Sequence, residues 1–150
     1  MKKLIHLDCT LRDGGYYNNW FFSKELINLY LKSMLDIKVD YVEVGFRFLD
    51  KKKTKGPCAY TTENYLKTLN IPKKLKLAVM INASDFIMEP LKQKLLVDKT
   101  FLSKKKSPIK LVRIACHFDE INKIQNIVKI LNYKGYEVAI NMMQISEQRN

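Results

Sequence analysis

Asp8, Arg12 and Asp13, with Gly14 and Gly15 directly after them, place an acid, a guanidinium, a second acid and two glycines at the end of an apolar run. That grouping suits a hard divalent cation, which prefers carboxylate oxygen, and an enolate oxygen, whose developing charge a fixed guanidinium stabilises. From Leu4 to Thr10 the residues alternate, with Ile5, Leu7 and Cys9 on one side and His6, Asp8 and Thr10 on the other. Period two is the mark of a strand, so Arg12 and Asp13 are expected where a strand ends. Gly14 and Gly15 then read as a tight strand-to-helix turn, which either brings the backbone close to a ligand or is an ordinary connection.

The elements that must position these groups follow from periodicity. Strands are predicted over Leu4 to Thr10, Tyr41 to Phe46, Leu75 to Ile81, Ile109 to Cys116 and Tyr136 to Met142. Helices are predicted over Ser23 to Leu35, Thr61 to Leu69, Ser84 to Leu95 and Asp119 to Tyr133, each opening on a residue type that caps helices, with Gly135 as a stop. Alternating strands and helices imply parallel neighbours and an α/β class. Strand starts recur roughly every 35 residues and then after about 27, near the period of an eight-unit barrel of about 250 residues. About five parallel strands and four helices therefore predict part of a (β/α)8 TIM barrel; a doubly wound open sheet also satisfies the pattern.

Strand parity adds a second clue. Val42, Val44 and Phe46 oppose Glu43, Gly45 and Arg47, while Val112, Ile114 and Cys116 oppose Arg113, Ala115 and His117. Asn82 and Asn141 likewise fall opposite the apolar faces of their strands. One-sided polarity fits a barrel interior that becomes a reaction site at its carboxyl end, whereas a sheet covered on both faces reads as continuous apolar runs. The alternative is a buried ion network joining Glu43, Arg113 and Asp8.

A chain of 150 residues, 47% hydrophobic and 28% charged, is expected to form a single globular domain spanning 1–150. The lysines follow no signal-peptide or membrane-span pattern, so a cytoplasmic protein with no membrane partner is expected. Cys9, Cys58 and Cys116 are too few and too unevenly spaced for a disulfide scaffold or a zinc ribbon. The formal charge of +12 resides in separate clusters, Lys51 to Lys53 with Lys55, Lys73 with Lys74 and Lys76, and Lys104 to Lys106. None is interleaved with stacking aromatics, so solvated loops are expected rather than a nucleic-acid partner. The same positive field would favour an acidic small substrate.

The stretch Asp8-Cys9-Thr10-Leu11-Arg12-Asp13-Gly14 resembles the D-x-T-L-R-D-G signature of the metal-dependent aldolase and acyltransferase superfamily. That superfamily includes 4-hydroxy-2-oxovalerate aldolase, HMG-CoA lyase and the isopropylmalate and homocitrate synthases. Val42-Glu43-Val44-Gly45-Phe46, Val112-Arg113-Ile114-Ala115-Cys116-His117 and Val138-Ala139-Ile140-Asn141-Met142-Met143 resemble its second, fourth and fifth strand segments. The resemblance implies a pyruvate-releasing lyase acting on a 4-hydroxy-2-oxo acid through a metal-bound enolate. By motif match Asp13 would be a metal ligand, for manganese or magnesium with zinc as a third candidate, and Arg12 would steady the enolate oxygen. Gly14, Gly15, Glu43, Arg113 and Asn141 would line the substrate, and His117 would move protons at the mouth of the fourth strand.

Two departures shape the expectation further. Aldolases of this kind carry a histidine shortly after R-D-G, and Tyr16 stands in its place, so with a phenol's ordinary pKa of about 10 the base or the substrate is expected to differ. The acyltransferases carry an acid and glutamine there, also absent, which leaves a Claisen-type acyl-CoA transfer as a lesser alternative. The family completes its metal site with a late H-x-H pair, while this sequence holds only His6 and His117. An amino-terminal portion of a longer barrel is therefore expected, one that self-associates or meets a complementing C-terminal half, either in catalysis or as a non-catalytic subunit.

Overall fold

The computed structural model describes residues 4–50 and 54–147. Strands β1 (Leu7–Asp8), β2 (Tyr41–Phe46), β3 (Lys76–Asn82), β4 (Ile109–Cys116) and β5 (Glu137–Met142) alternate with helices α1 (Thr10–Asn18), α2 (Lys24–Asp36), α3 (Glu63–Leu66), α4 (Pro90–Thr100) and α5 (Gln125–Tyr133). The sheet runs β1-β2-β3-β4-β5 in chain order, with β1 parallel to β2 and β4 parallel to β5. Helical crossovers between sequential strands are the connection parallel pairing demands, and the succession is that of a partial (β/α)8 barrel. The chain divides into two compact units, Met1–Val79 and Met80–Asn150, the division falling within β3.

Unit 1 differs from expectation at its start. Only Leu7 and Asp8 pair as a strand; Leu4 and Ile5 are exposed, so the alternation before them organises no buried face. Thr10 to Asn18 is helical, and Arg12, Asp13, Gly14 and Gly15 lie inside α1 rather than in a turn. Two glycines in a helix cost about 1 kcal/mol each relative to alanine, which hides α1 from periodicity. Its start is organised by Asp8, whose carboxylate accepts from the Thr10 amide (3.0 Å) and hydroxyl (3.0 Å).

The other starts sort by chemistry. Ser23 caps α2 as predicted, accepting from the Leu26 amide at 3.1 Å. Thr62, not Thr61, caps the short α3, because Thr61 is left-handed and gives its hydroxyl to the Cys58 carbonyl. Ser84 does not open α4: Pro90 lacks an amide and stands at the first helical position, with Glu89 as the cap. Asp119 lies in a 3-10 stretch, Phe118–Lys123, that precedes α5, and left-handed Gly135 (φ 93°) does end that helix. Strands β2 and β4 match their predicted bounds, and β3 and β5 begin one residue late.

Within unit 1 the fully buried Ile27 and Leu31 of α2 join Val42, Val44 and Phe46 of β2 in the core. Unit 2 buries Val97, Ile109, Val112, Ile114, Ile127 and Leu131. β5 is less covered: Ile140 and Met142 are 46% and 38% exposed, whereas their register partners Ile114 and Cys116 are at 0%. The three cysteines are free thiols. Burial pushes the Cys58 thiol up to about 11, against the opposing effect of its contact with the Tyr65 hydroxyl. Of the lysine clusters, Lys51 to Lys53 lie outside the described residues, and Lys104 to Lys106 form a 3-10 turn.

Gly45 is where β2 tolerates no side chain, since a Cβ there would stand 1.8 Å from the Cys58 carbonyl oxygen. Gly45→Ala is expected to destabilise the chain by about 1–3 kcal/mol, the range for overpacking a close contact. An unchanged urea midpoint would contradict that close approach.

Candidate active site

The site residues of unit 1 gather around one guanidinium. α1 lies against β2, which brings Arg12 to the fully buried Glu43 in the middle of that strand. Arg12 Nε donates to Glu43 Oε1 at 2.7 Å, and Arg12 also donates to the Asp13 carboxylate. Burial opposes the guanidinium's charge, but the hydrogen bond and charge of Glu43, with the charge of Asp13, outweigh it and raise its pKa above the ordinary arginine value. The Phe46 ring lies 5.8 Å from Arg12 Cζ, within cation–π range. An arginine so held is fixed in direction, as an oxyanion partner must be.

The exposures of the three charged side chains separate their roles. Glu43 is at 0%, Arg12 at 13% and Asp13 at 59%. Glu43 therefore orients Arg12 from beneath, while Asp13 keeps carboxylate surface open to a ligand. Asp13 also lies in the first turn of α1, where the helix dipole favours negative charge. The Asp8 carboxylate, by contrast, is engaged by Thr10 and by the Tyr30 hydroxyl, whose pKa is raised first by burial and then by that bond.

Both glycines lie inside α1 rather than in a turn, and only Gly15 is required by packing. Gly15 is buried, and a Cβ on it would meet Trp20 Cδ1 at 2.0 Å, whereas a Cβ on Gly14 would have its nearest neighbour, Phe22, at 3.8 Å. Tyr16 is 62% exposed, with its ring edge-on to Trp20 at 4.9 Å. Arg47, on the polar side of β2 as expected, donates to Glu63 at 2.6 Å.

In unit 2, Arg113 of β4 donates to Asn141 Oδ1 of β5 at 3.0 Å. The register explains the pairing: Arg113 faces Ala139, and Asn141 is two residues along on the same side. His117 follows β4 and is exposed, and its amide donates to Glu120 at 2.8 Å as the next turn begins. Arg12 with Glu43 is thus an ion pair within unit 1, and Arg113 with Asn141 a part-buried hydrogen bond within unit 2.

Sequence reasoning missed Trp20, Tyr30 and Phe46 as supports of the site. Trp20 is the only tryptophan of the sequence, which was a signal; Tyr30 lies on an ordinary amphipathic helix and gave none.

A divalent cation is implied by the resemblance. Among the described residues no group of three or more His, Cys, Asp or Glu side chains assembles a metal site. Asp13 is a single carboxylate, and by themselves these residues do not fit a complete site.

No family model matches the chain, and no curated protein does. Among solved structures it is similar to the crystal structure of the N-terminal domain of a Bacteroides vulgatus protein taken to be an aldolase, at 36% identity and a TM-score of 0.78. The match covers 96% of this chain and 46% of that one, so this chain spans less than half of that protein's structure. The likeness runs along nearly the whole chain and bears out an aldolase-like α/β fold.

Proposed function

We propose that this chain supplies the enolate-binding, amino-terminal part of a cytoplasmic aldolase-type carbon–carbon lyase whose substrate is a 4-hydroxy-2-oxo acid. The observation that carries this reading is the Arg12 guanidinium, fixed between buried Glu43 and open Asp13 after the first strand. Removal of the 4-hydroxyl proton turns C4 into an aldehyde carbonyl, and the C3–C4 electron pair moves to make C2 an enolate. Protonation at C3 then releases pyruvate. Arg12 holds the C2 oxygen as its charge grows, Glu43 keeps the guanidinium aimed, and Asp13 would be one of the carboxylates that a divalent cation takes as ligand. A divalent cation, when bound, would withdraw electron density from the 2-oxo acid. Tyr16, exposed and in the same unit as Arg12, is the candidate proton carrier.

The remaining cation ligands are assigned to a complementing part of the barrel. The half-exposed apolar face of β5 supports this, because Ile140 and Met142 lack the cover their β4 partners have. The same face favours the second reading, a non-catalytic subunit that uses β5 to bind another chain. The two are separated by assaying pyruvate release from 4-hydroxy-2-oxovalerate with magnesium or manganese, for the chain alone and with the polypeptide translated from the adjacent reading frame. Activity in the mixture supports the lyase; stable association with activity at background supports the subunit.

A further inference from the structure

Trp20 is left-handed (φ 59°) yet only 3% exposed. A bulky residue gives up about 1–2 kcal/mol in that conformation, so its surroundings must hold it there. Its indole Nε1 donates to the Arg12 carbonyl at 3.0 Å, and its backbone amide donates to the Gly15 carbonyl at 3.0 Å. Its ring meets Tyr16, Phe46 and Phe48 edge-on, at 4.9, 5.7 and 5.4 Å. The Lys55 ammonium lies 5.0 Å from the same ring and 4.0 Å from Phe48. The backbone makes room on both sides: a Cβ on Gly56 would lie 2.2 Å from the Trp20 carbonyl oxygen, as one on Gly15 would strike the indole.

These contacts converge on Arg12 from behind. The indole N–H fixes its backbone, and the ring braces Phe46, the aromatic face near the guanidinium. The Gly56 amide donates to the Asn19 carbonyl at 2.7 Å, so the segment after β2 is fastened to the end of α1 beside Trp20. We propose that Trp20 is the positioning residue for Arg12, locking the direction of the guanidinium through its indole N–H and through Phe46. The catalytic consequence rests on the lyase reading; the positioning itself does not.

The test is nuclear magnetic resonance of the Arg12 Nε–H in the full chain. Trp20→Phe keeps an aromatic ring and removes the N–H donor. It is expected to shift that resonance and speed its hydrogen exchange, because the Nε–H bond to Glu43 is then held less rigidly. Lys55→Met, which removes the ammonium beside the indole and leaves the indole N–H and Phe46 in place, should leave the resonance where it is. An Arg12 Nε–H that neither shifts nor exchanges faster in Trp20→Phe overturns the proposal. Should that variant fail to fold, 7-azatryptophan at this single tryptophan keeps the shape and alters the N–H; the Arg12 resonance must then move, and its standing still is equally fatal. Oxalate, a planar mimic of the pyruvate enolate, separates the two readings when titrated with magnesium. A perturbed Arg12 resonance with no oxalate binding by this chain mixed with the adjacent-frame polypeptide, which on the lyase reading supplies the remaining cation ligands, upholds the positioning and sinks the lyase.

Discussion

Glu43→Ala lowers the unfolding free energy of the chain by about 3–5 kcal/mol, the cost of removing one partner from a buried ion pair. The size follows from burial rather than from the ion pair as such. Glu43 is at 0% exposure and Arg12 at 13%, so deleting the carboxylate leaves a largely desolvated guanidinium without the partner on its Nε. Asp13 remains beside Arg12 and recovers part of the loss, which places the effect toward the lower end of that range. The paired replacement of Arg12 by Met and Glu43 by Leu should cost far less than Glu43→Ala alone, since apolar groups of similar volume need no compensation. Urea unfolding of the two variants checks both statements. A loss below about 1 kcal/mol for Glu43→Ala would put the pair in the class of solvated surface bridges.

That pair also marks how far the sequence could be read. Parity along Tyr41–Phe46 put Glu43 on the polar side of its strand, and the structure keeps it there beneath Arg12. β2 and β4 were legible because they are apolar runs rich in β-branched residues, with Glu43 and Arg113 set among them and no competing helical period. The start of the chain was not, for two opposing reasons. Leu4 and Ile5 continue a strand-like alternation that no partner surface uses, and Gly14 and Gly15 carry the local signature of a turn inside a helix. What overrides local propensity there is tertiary: the indole of Trp20 needs the space that a side chain on Gly15 would fill. At α4 the misplaced start came from weighing Ser84 as a cap above the stronger constraint of Pro90. Arg12 and Asp13 were singled out by residue type, by their place after the first strand and by the signature they resemble, and their partners could be found only once α1 lay against β2.

Arg12→Ala is expected to reduce kcat for pyruvate release by about 10²–10³, the range for losing one donor aimed at a developing oxyanion, with a smaller change in KM. The asymmetry is the informative part. In the 2-oxo acid the C2 oxygen is a neutral carbonyl, and only as the C3–C4 bond breaks does it carry enolate charge, so a fixed guanidinium gains most at the transition state. Arg12→Lys keeps the charge but loses the planar fork that lets one side chain engage Glu43 and Asp13 together, and should recover only part of the rate. Both variants must be measured in the assembled enzyme, with unfolding followed in parallel, because each disturbs the partner of buried Glu43. If kcat holds and KM rises instead, Arg12 binds substrate and transition state alike. The enolate would then have to be held elsewhere, with Arg113 beside Asn141 the next guanidinium to test.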